Sequence, residues 1–191
     1  AVLNTSICLG RLGANVSFLG AVSKDLFGEV ILKELVESKV DTSFCIETNN
    51  NPTLAFAKID NGTTTYSIFD ENSSNKNILL DNLSLDNKEV DTLYIGGISL
   101  MSEPNGTQIE NFITRESDER IVFFDPNIRP SFIENRSKYI QRFENILAQS
   151  DIIKMSDEDL EWLYPDESFE DIYKQWLELG LSIVVLTKGS E

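Results

Sequence analysis

The sequence predicts an α/β fold built on a mostly parallel sheet, with a small antiparallel β insertion, and three observations carry that prediction. First, residues 121–130 (IVFFDPNIRP) run from four apolar, β-favouring residues straight into Asp125, Pro126, Asn127, Ile128, Arg129 and Pro130. An apolar run without alternation reads as a strand buried on both faces, as in a parallel sheet covered by helices. Second, the pattern returns at 150–159 (SDIIKMSDED) and at 182–191 (SIVVLTKGSE). The first of these strands is followed by Lys154, Ser156 and Asp159, the second by Thr187, Lys188, Gly189 and Ser190. Third, strands alternate with helix-like segments except over 42–69, where β-rich pieces follow one another. Ligands of open α/β sheets bind beyond the carboxyl ends of the strands. Three strands that all turn polar at that end therefore imply one shared crevice, although solvated loops explain any one of them singly.

Taken in order, the chain opens in a helix over 4–12, with Ile7, Leu9 and Leu12 apolar and Gly13 in the left-handed cap. Residues 16–22 (VSFLGAV) read as a buried strand. A helix follows over 26–38, with Phe27, Val30, Ile31, Leu32 and Leu35 inward. Asp25 stands at its start, where the helix dipole favours a carboxylate, and reads as a cap rather than a ligand. Three β-rich pieces at 42–47, 53–59 and 64–69 surround Asn61-Gly62, a strong two-residue hairpin signal. That turn requires Phe56 to pair with Ser67 and Ala57 with Tyr66. The insertion is a candidate lid or dimer surface, and 70–77 (DENSSNKN) is its polar connector.

Alternation then resumes. Residues 92–95 form a strand ending in Gly96-Gly97, a pair that suits either close approach to a ligand or a tight turn. A helix over 105–115 leads into the 121–130 strand. The next helix, over 137–149, carries Tyr139, Ile140, Phe143, Ile146 and Leu147. After a strand at 151–154, Ser156 caps a helix to about 163, with Asp159 at its third position, a variant capping box. A helix over 169–179 stopped by Gly180 and a strand at 182–186 complete the pattern.

With 191 residues and 41 % hydrophobic content, the chain suffices for one large domain and a small appendage. Sixteen basic against 32 acidic residues give a net charge of −16, which argues against nucleic acid or an anionic membrane as partner. Any phosphate ligand must then be met by locally placed cations or backbone amides. The sequence holds no histidine, which removes a His-based triad and disfavours a zinc enzyme. No run reaches membrane-spanning length and no signal segment is visible, so a cytoplasmic location is expected. Cys8 and Cys45 match no metal pattern and read as buried thiols of a cytosolic protein rather than a disulfide. Both ends look cut: the chain starts inside a helix without Met and stops after a strand that a parallel fold follows with a helix. An internal segment of a longer protein is the expectation.

Over nearly its whole length the chain resembles the ribokinase-like carbohydrate kinases, the PfkB family, and within them the fructokinases. The resemblance rests on Asn4, Ser6, Arg11-Leu12-Gly13 and the VSFLGAV strand with Asp25 and Gly28. It continues through NPTLAFAKIDNG, TYSIFDEN, YIGGISL, FDPNIRP, DIIKMSDEDLEWLYP and VVLTKGSE, in the family's order and spacing. Ser23 departs from the family's usual glycine. No single motif is specific; their ordered series is. The resemblance implies a ribokinase-like three-layer α/β/α sandwich, with a mostly parallel central sheet in a core of 1–41 and 71–191 and a β-hairpin lid at 42–70.

The same resemblance implies the site. Asn4 matches an asparagine that binds sugar hydroxyls, and Arg129, within Asp125-x-Asn127-x-Arg129, a residue reaching the sugar and phosphate region. Phe56 and Tyr66 are lid residues, of which either may face the sugar. Ser156 and Asp159 match an Asn-x-x-Glu motif that organises magnesium, water and nucleotide phosphate. Asp for Glu shortens that arm, so a metal contact runs directly or through water. Thr187 and Gly189 match the loop that holds ATP phosphates, and Lys154 supplies a further cation. ATP and Mg2+ are the implied cofactors, with a monovalent cation such as K+. Sugar and ATP are the implied small-molecule partners, and a homodimer through the lid is what the resemblance implies in addition. The family's base is an aspartate in a Gly-x-Gly-Asp motif expected beyond Glu191, so no catalytic residue is assigned here and the isolated segment is expected to be inactive.

These residue types suit phosphoryl transfer, which needs positioning and charge neutralisation more than covalent chemistry. A lid excludes water and limits wasteful ATP hydrolysis. The leading reading is thus an ATP-dependent sugar kinase, a fructokinase before a kinase of ribose, 2-keto-3-deoxygluconate or nucleosides. The competing class is a non-catalytic sugar- or nucleotide-binding relative, and a downstream Gly-x-Gly-Asp discriminates the two.

Overall fold

The computed structural model describes residues 1–60, 63–76, 78–81, 83–85 and 89–189, leaving aside the side chains at 59 and 63–66. The chain divides into two compact units, Leu3–Ile78 and Leu79–Glu191, the latter together with Ala1–Val2.

In Leu3–Ile78, α1 (Val2–Arg11) buries Ser6 and Gly10 instead of the expected apolar positions. Leu9 and Leu12 are exposed. Close packing is the reason: a Cβ on Gly10 would lie 2.3 Å from the Ser38 carbonyl oxygen, so only small residues fit the buried line. Cys8 is correspondingly exposed and Cys45 half-buried, both as free thiols, which corrects the expectation of two buried ones. Gly13 takes the left-handed cap at φ 88°.

The first strand is shorter than expected. β1 (Gly20–Ser23) pairs in parallel with β2 (Cys45–Thr48), from Gly20 opposite Cys45 to Ser23 opposite Thr48. Ser17 makes only an isolated bridge to Asp41. In α2 (Leu26–Glu37), Gly28 and Leu35 are buried, whereas Phe27 and Val30 are exposed. The two-stranded β1–β2 pair is too narrow to cover the wider stripe expected there.

β3 (Leu54–Asp60) and β4 (Thr63–Phe69) form an antiparallel pair in the register predicted, Phe56 opposite Ser67 and Ala57 opposite Tyr66. Asn61 and Gly62 themselves lie outside the described residues. The piece at 42–47 does not join this hairpin; its strand is β2, committed to β1.

The unit Leu79–Glu191 carries β5 (Thr92–Gly96), α3 (Asn105–Glu116), β6 (Ile121–Asp125), α4 (Arg136–Leu147), β7 (Ile152–Ser156), α5 (Asp157–Leu163), α6 (Phe169–Glu178) and β8 (Ile183–Thr187). Its four strands are parallel in the order β5-β6-β7-β8. Val122, Phe124, Ile153 and Met155 are buried, and the last three join Phe143, Ile146, Leu160, Ile172 and Trp176 in one core. The alternate residues Phe123, Ile152 and Lys154 are half-buried, and Ile121, Ile183 and Val185 are exposed. The strands thus alternate instead of being buried on both faces, because α4, α5 and α6 pack on one face of this unit's sheet. As expected, α4 turns Tyr139, Phe143, Ile146 and Leu147 inward.

One buried cation ties α3 to α4. Arg142, 4 % exposed, donates to the Leu100 carbonyl at 2.7 Å, Glu103 at 2.6 Å, and Thr107 and Glu110 at 3.3 Å. Gly106 makes room for it, since a Cβ there would lie 2.2 Å from an Arg142 nitrogen. No helix among the described residues is long and apolar enough to cross a membrane.

Candidate functional site

The predicted site residues fall into two groups, one in each unit. Asn4, Phe56 and Tyr66 belong to Leu3–Ile78; Arg129, Lys154, Ser156, Asp159, Thr187 and Gly189 belong to Leu79–Glu191.

In the second group, the parallel register brings polar residues together at the carboxyl ends of the strands. Ser156, the last residue of β7, lies opposite Thr187, the last residue of β8. Two residues earlier on the same face of β7 is Lys154. It stands inside the strand rather than after it, because Ile153 and Met155 turn to the core and leave Lys154 on the other face. The Lys154 ammonium, on a side chain 30 % exposed, meets Asp125 Oδ2 at 3.1 Å. The Tyr94 hydroxyl donates to that same oxygen at 3.0 Å. Asp125 Oδ1 is buried without a hydrogen-bond partner among the described residues. β5, β6 and β7 are thereby cross-linked by one carboxylate. The Thr187 hydroxyl donates to the Met155 carbonyl at 3.3 Å, and Gly189 beyond it has φ 57°, a left-handed turn that favours glycine.

The loop after β6 carries Arg129, exposed, whose Nη1 donates to the Ile128 carbonyl at 2.7 Å. Ser156 caps α5 as the sequence predicts, its hydroxyl accepting from the Asp159 amide at 3.1 Å. Asp159 is 5 % exposed, and its Oδ1 accepts from the Ile128 amide at 3.0 Å. Burial raises its pKa, against the backbone hydrogen bonds from Ile128 and Ser156 and the charge of Arg129, which lower it. Among the described residues no three acidic or thiol side chains cluster as a metal site. With one oxygen committed and the carboxylate buried, Asp159 does not fit a protein-held metal centre.

In the other unit, Asn4 is exposed on α1. Phe56, 59 % exposed, packs edge-on against Phe69 with ring centroids 5.8 Å apart. Both rings line an open cavity of about 680 Å³ together with Asp25, Phe27, Leu54 and Asp70. That is the volume of a small-molecule site, with apolar walls and a few polar groups. The Tyr66 side chain lies outside the described ones. Asp25 caps α2, accepting from the Phe27 and Gly28 amides at 3.0 and 3.1 Å and from the Ser23 hydroxyl at 2.7 Å. These bonds, that from Ser23 foremost, hold its pKa below the usual carboxylate range. Ser23, where the family has glycine, is thus a partner of the cap.

Two features escape a linear reading. Tyr94, the partner of Asp125, sits in an ordinary strand and only its register reveals it. Asp70 accepts from the Thr53 and Ser73 hydroxyls and pairs with Lys76 at 3.3 Å, so the connector is tied down. A signal existed for the first bond: Leu54 opposite Phe69 places Thr53 beside Asp70. Gly96 packs closely on β6, since a Cβ there would lie 1.6 Å from the Asp125 carbonyl oxygen.

The model of the pfkB family carbohydrate kinases matches residues 1–191. A fructokinase of Rhizobium leguminosarum bv. trifolii is 38 % identical over 191 residues, 100 % of this chain and 59 % of that protein. In fold, the fructokinase of Xylella fastidiosa with bound ATP aligns at a TM-score of 0.87 and 20 % identity, covering 99 % of this chain and 62 % of that one. The fructokinase of Vibrio cholerae O395 in its fructose, ADP and calcium ion bound form aligns at 0.84 and 20 % identity, covering 98 % and 62 %. The chain thus spans about three fifths of the length of these relatives. On the family match over its whole length, the chain belongs to the pfkB family of carbohydrate kinases.

Proposed function

We propose that the protein containing this chain is an ATP-dependent sugar kinase that transfers the γ-phosphoryl group to a hydroxyl of fructose. The observation that carries this reading is the convergence of Lys154, Ser156 and Thr187 on one face at the carboxyl ends of β7 and β8. That is where an open α/β sheet binds its ligand. In a chain of net charge −16, local cations and hydroxyls at this edge supply what an anionic nucleotide needs. The fructokinase relative at 38 % identity supports fructose as the acceptor. The ATP complex from Xylella fastidiosa and the fructose and ADP complex from Vibrio cholerae support the ligand pair.

In this reading Ser156, Thr187 and the backbone at Gly189 hold nucleotide phosphates. Lys154 keeps one N–H on Asp125 and turns the others toward the phosphates. Arg129 reaches the transferring group, and Asn4 offers donor and acceptor to sugar hydroxyls. Phe56 and Tyr66 belong to a lid formed by β3 and β4 that covers the sugar and excludes water. Mg2+ enters on the nucleotide, and K+ is a further expected activator. The exposed apolar side chains of the hairpin, Phe56, Ile68 and Phe69, also suit a homodimer through the lid. A cytoplasmic location accords with ATP as the donor.

The test is ATP-dependent phosphorylation of fructose by the full-length protein, with Thr187→Val and Lys154→Met as variants. Fructose turnover that falls in both variants supports the reading. A full-length protein that binds fructose or ATP and turns neither over replaces the kinase with a non-catalytic relative.

A further inference from the structure

We propose that Asp159 is a positioning residue whose buried carboxylate clamps the loop after β6 and so fixes the point from which Arg129 extends. The catalytic consequence rests on the kinase reading above; the clamp itself does not.

The geometry is specific. Asp159 Oδ1 accepts from the amide of Ile128, a residue 31 positions away, at 3.0 Å in a buried setting. The Ser156 hydroxyl accepts from the Asp159 amide at 3.1 Å. The backbone that carries the side chain is therefore fixed by the cap of its own helix. On the loop side, Ile128 is held at both backbone groups, its N–H by Asp159 and its carbonyl by Arg129 Nη1 at 2.7 Å. The guanidinium lies close enough to Asp159 for the two charges to interact.

The loop needs such a holder. Asn127, directly before the clamped amide, stands at φ 43°, a left-handed conformation that costs a residue with a side chain free energy and persists only where the surroundings over-determine it. Ile128 is buried, so its N–H cannot turn to water in exchange. The short arm of aspartate fits this task. Ser156 fixes the backbone of residue 159, and a longer glutamate would push its carboxylate into the space of Ile128. A residue matched to a metal-organising position is thus already engaged by protein donors, which the sequence pattern does not reveal.

The experiment uses the full-length protein with Asp159→Ala, Asp159→Asn and Asp159→Glu. It reads amide hydrogen exchange over 126–129, KM for fructose, and the Mg2+ concentration that gives half-maximal activity. For Asp159→Ala, exchange over 126–129 is expected to accelerate about tenfold and the sugar KM to rise about tenfold, from loss of one charge-assisted hydrogen bond. The Mg2+ requirement stays where it was. Asn keeps an acceptor for the Ile128 amide and gives a smaller change in exchange, whereas Glu displaces the loop and gives faster exchange. If the alanine variant does not fold, the contrast between Asn and Glu decides the matter. Unchanged exchange with a tenfold shift in the Mg2+ requirement, rescued by Glu, overturns the clamp in favour of a metal ligand. A parent protein without kinase activity refutes the kinase reading, and the exchange measurement still decides the clamp.

Discussion

Replacing Arg142 by Met tests how much of the larger unit's stability hangs on one buried cation. Removing one partner of a buried ion pair costs about 3–5 kcal/mol when the other charge is left stranded. Here the stranded groups are not equally trapped. The Glu103 and Glu110 side chains are 40 % and 23 % exposed and can turn to water. The Leu100 carbonyl, bonded to Arg142 in a buried setting, has no such escape. The expected loss is therefore about 2–3 kcal/mol at neutral pH, mostly the unsatisfied carbonyl and the emptied channel beside Gly106. The pH dependence adds a second signature. Burial alone raises the Glu103 pKa, but Lys138 and Arg142 together hold it at about 2, against an ordinary 4.5. A carboxyl depressed in the folded state contributes stability in full above its unfolded pKa and loses it as pH falls through the folded one. The window is thus about 4.5 down to about 2, narrowed in effect by the partial exposure of Glu103. In Arg142→Met the Lys138 contact remains, so the acid-sensitive contribution shrinks without vanishing. Urea unfolding at about pH 7 and about pH 3 reads both effects, with a smaller gap between parent and variant at the lower pH. A loss under about 1 kcal/mol at neutral pH, equal at both, would put Arg142 among surface ion pairs and refute the reasoning.

The two thiols are expected to react at very different rates with a disulfide reagent. Cys8 is exposed, whereas burial, with Asp41 and Glu47 nearby, pushes Cys45 up to about 11 from 9.0. At about pH 8 Cys45 should react about a hundredfold more slowly than an ordinary thiol, and Cys8→Ser should abolish the fast phase. Phe124→Ala empties the centre of the core against Phe143, 5.4 Å away, and should cost about 3–5 kcal/mol in urea unfolding. Thr187→Val removes a hydroxyl proposed to meet a nucleotide phosphate, and its bond to the Met155 carbonyl, from an exposed strand end. It should weaken ATP binding about tenfold by calorimetry while changing stability by about 1 kcal/mol or less.

Much of this architecture was legible because local chemistry and tertiary structure agree. Asp25, Ser156 and Asn61-Gly62 each announce a boundary through a backbone requirement, and the caps and the hairpin register follow from them. Burial was legible only where a partner surface is wide. α4 faces a four-stranded sheet and buries the residues its periodicity marks, whereas α2 faces two strands and leaves Phe27 and Val30 exposed. α1 failed differently: its buried line is set by how near Ser38 comes to Gly10, a distance no periodicity encodes. The same limit applies to the site. Its residue types follow strands in sequence, but the bond between Lys154 and Asp125 depends on parallel register across 29 residues.

That bond shapes how an acidic protein presents positive charge at the strand ends. Asp125 is buried, with one oxygen shared by Lys154 and Tyr94 and the other without a hydrogen-bond partner among the described residues. A buried carboxylate in that condition is tolerable only beside a cation. Lys154 therefore serves Asp125 as the cation beside a buried carboxylate. Tyr94 lightens that demand, since a hydroxyl donor stabilises the carboxylate without adding charge. The net field at the strand ends then falls to Arg129, which stands exposed on the next loop with its Nη1 on the Ile128 carbonyl. Holding the Asp125–Lys154 pair and the Arg129 guanidinium separately concentrates attraction at one place. It avoids spreading charge over the edge, where the chain's other 31 acidic side chains would compete for it.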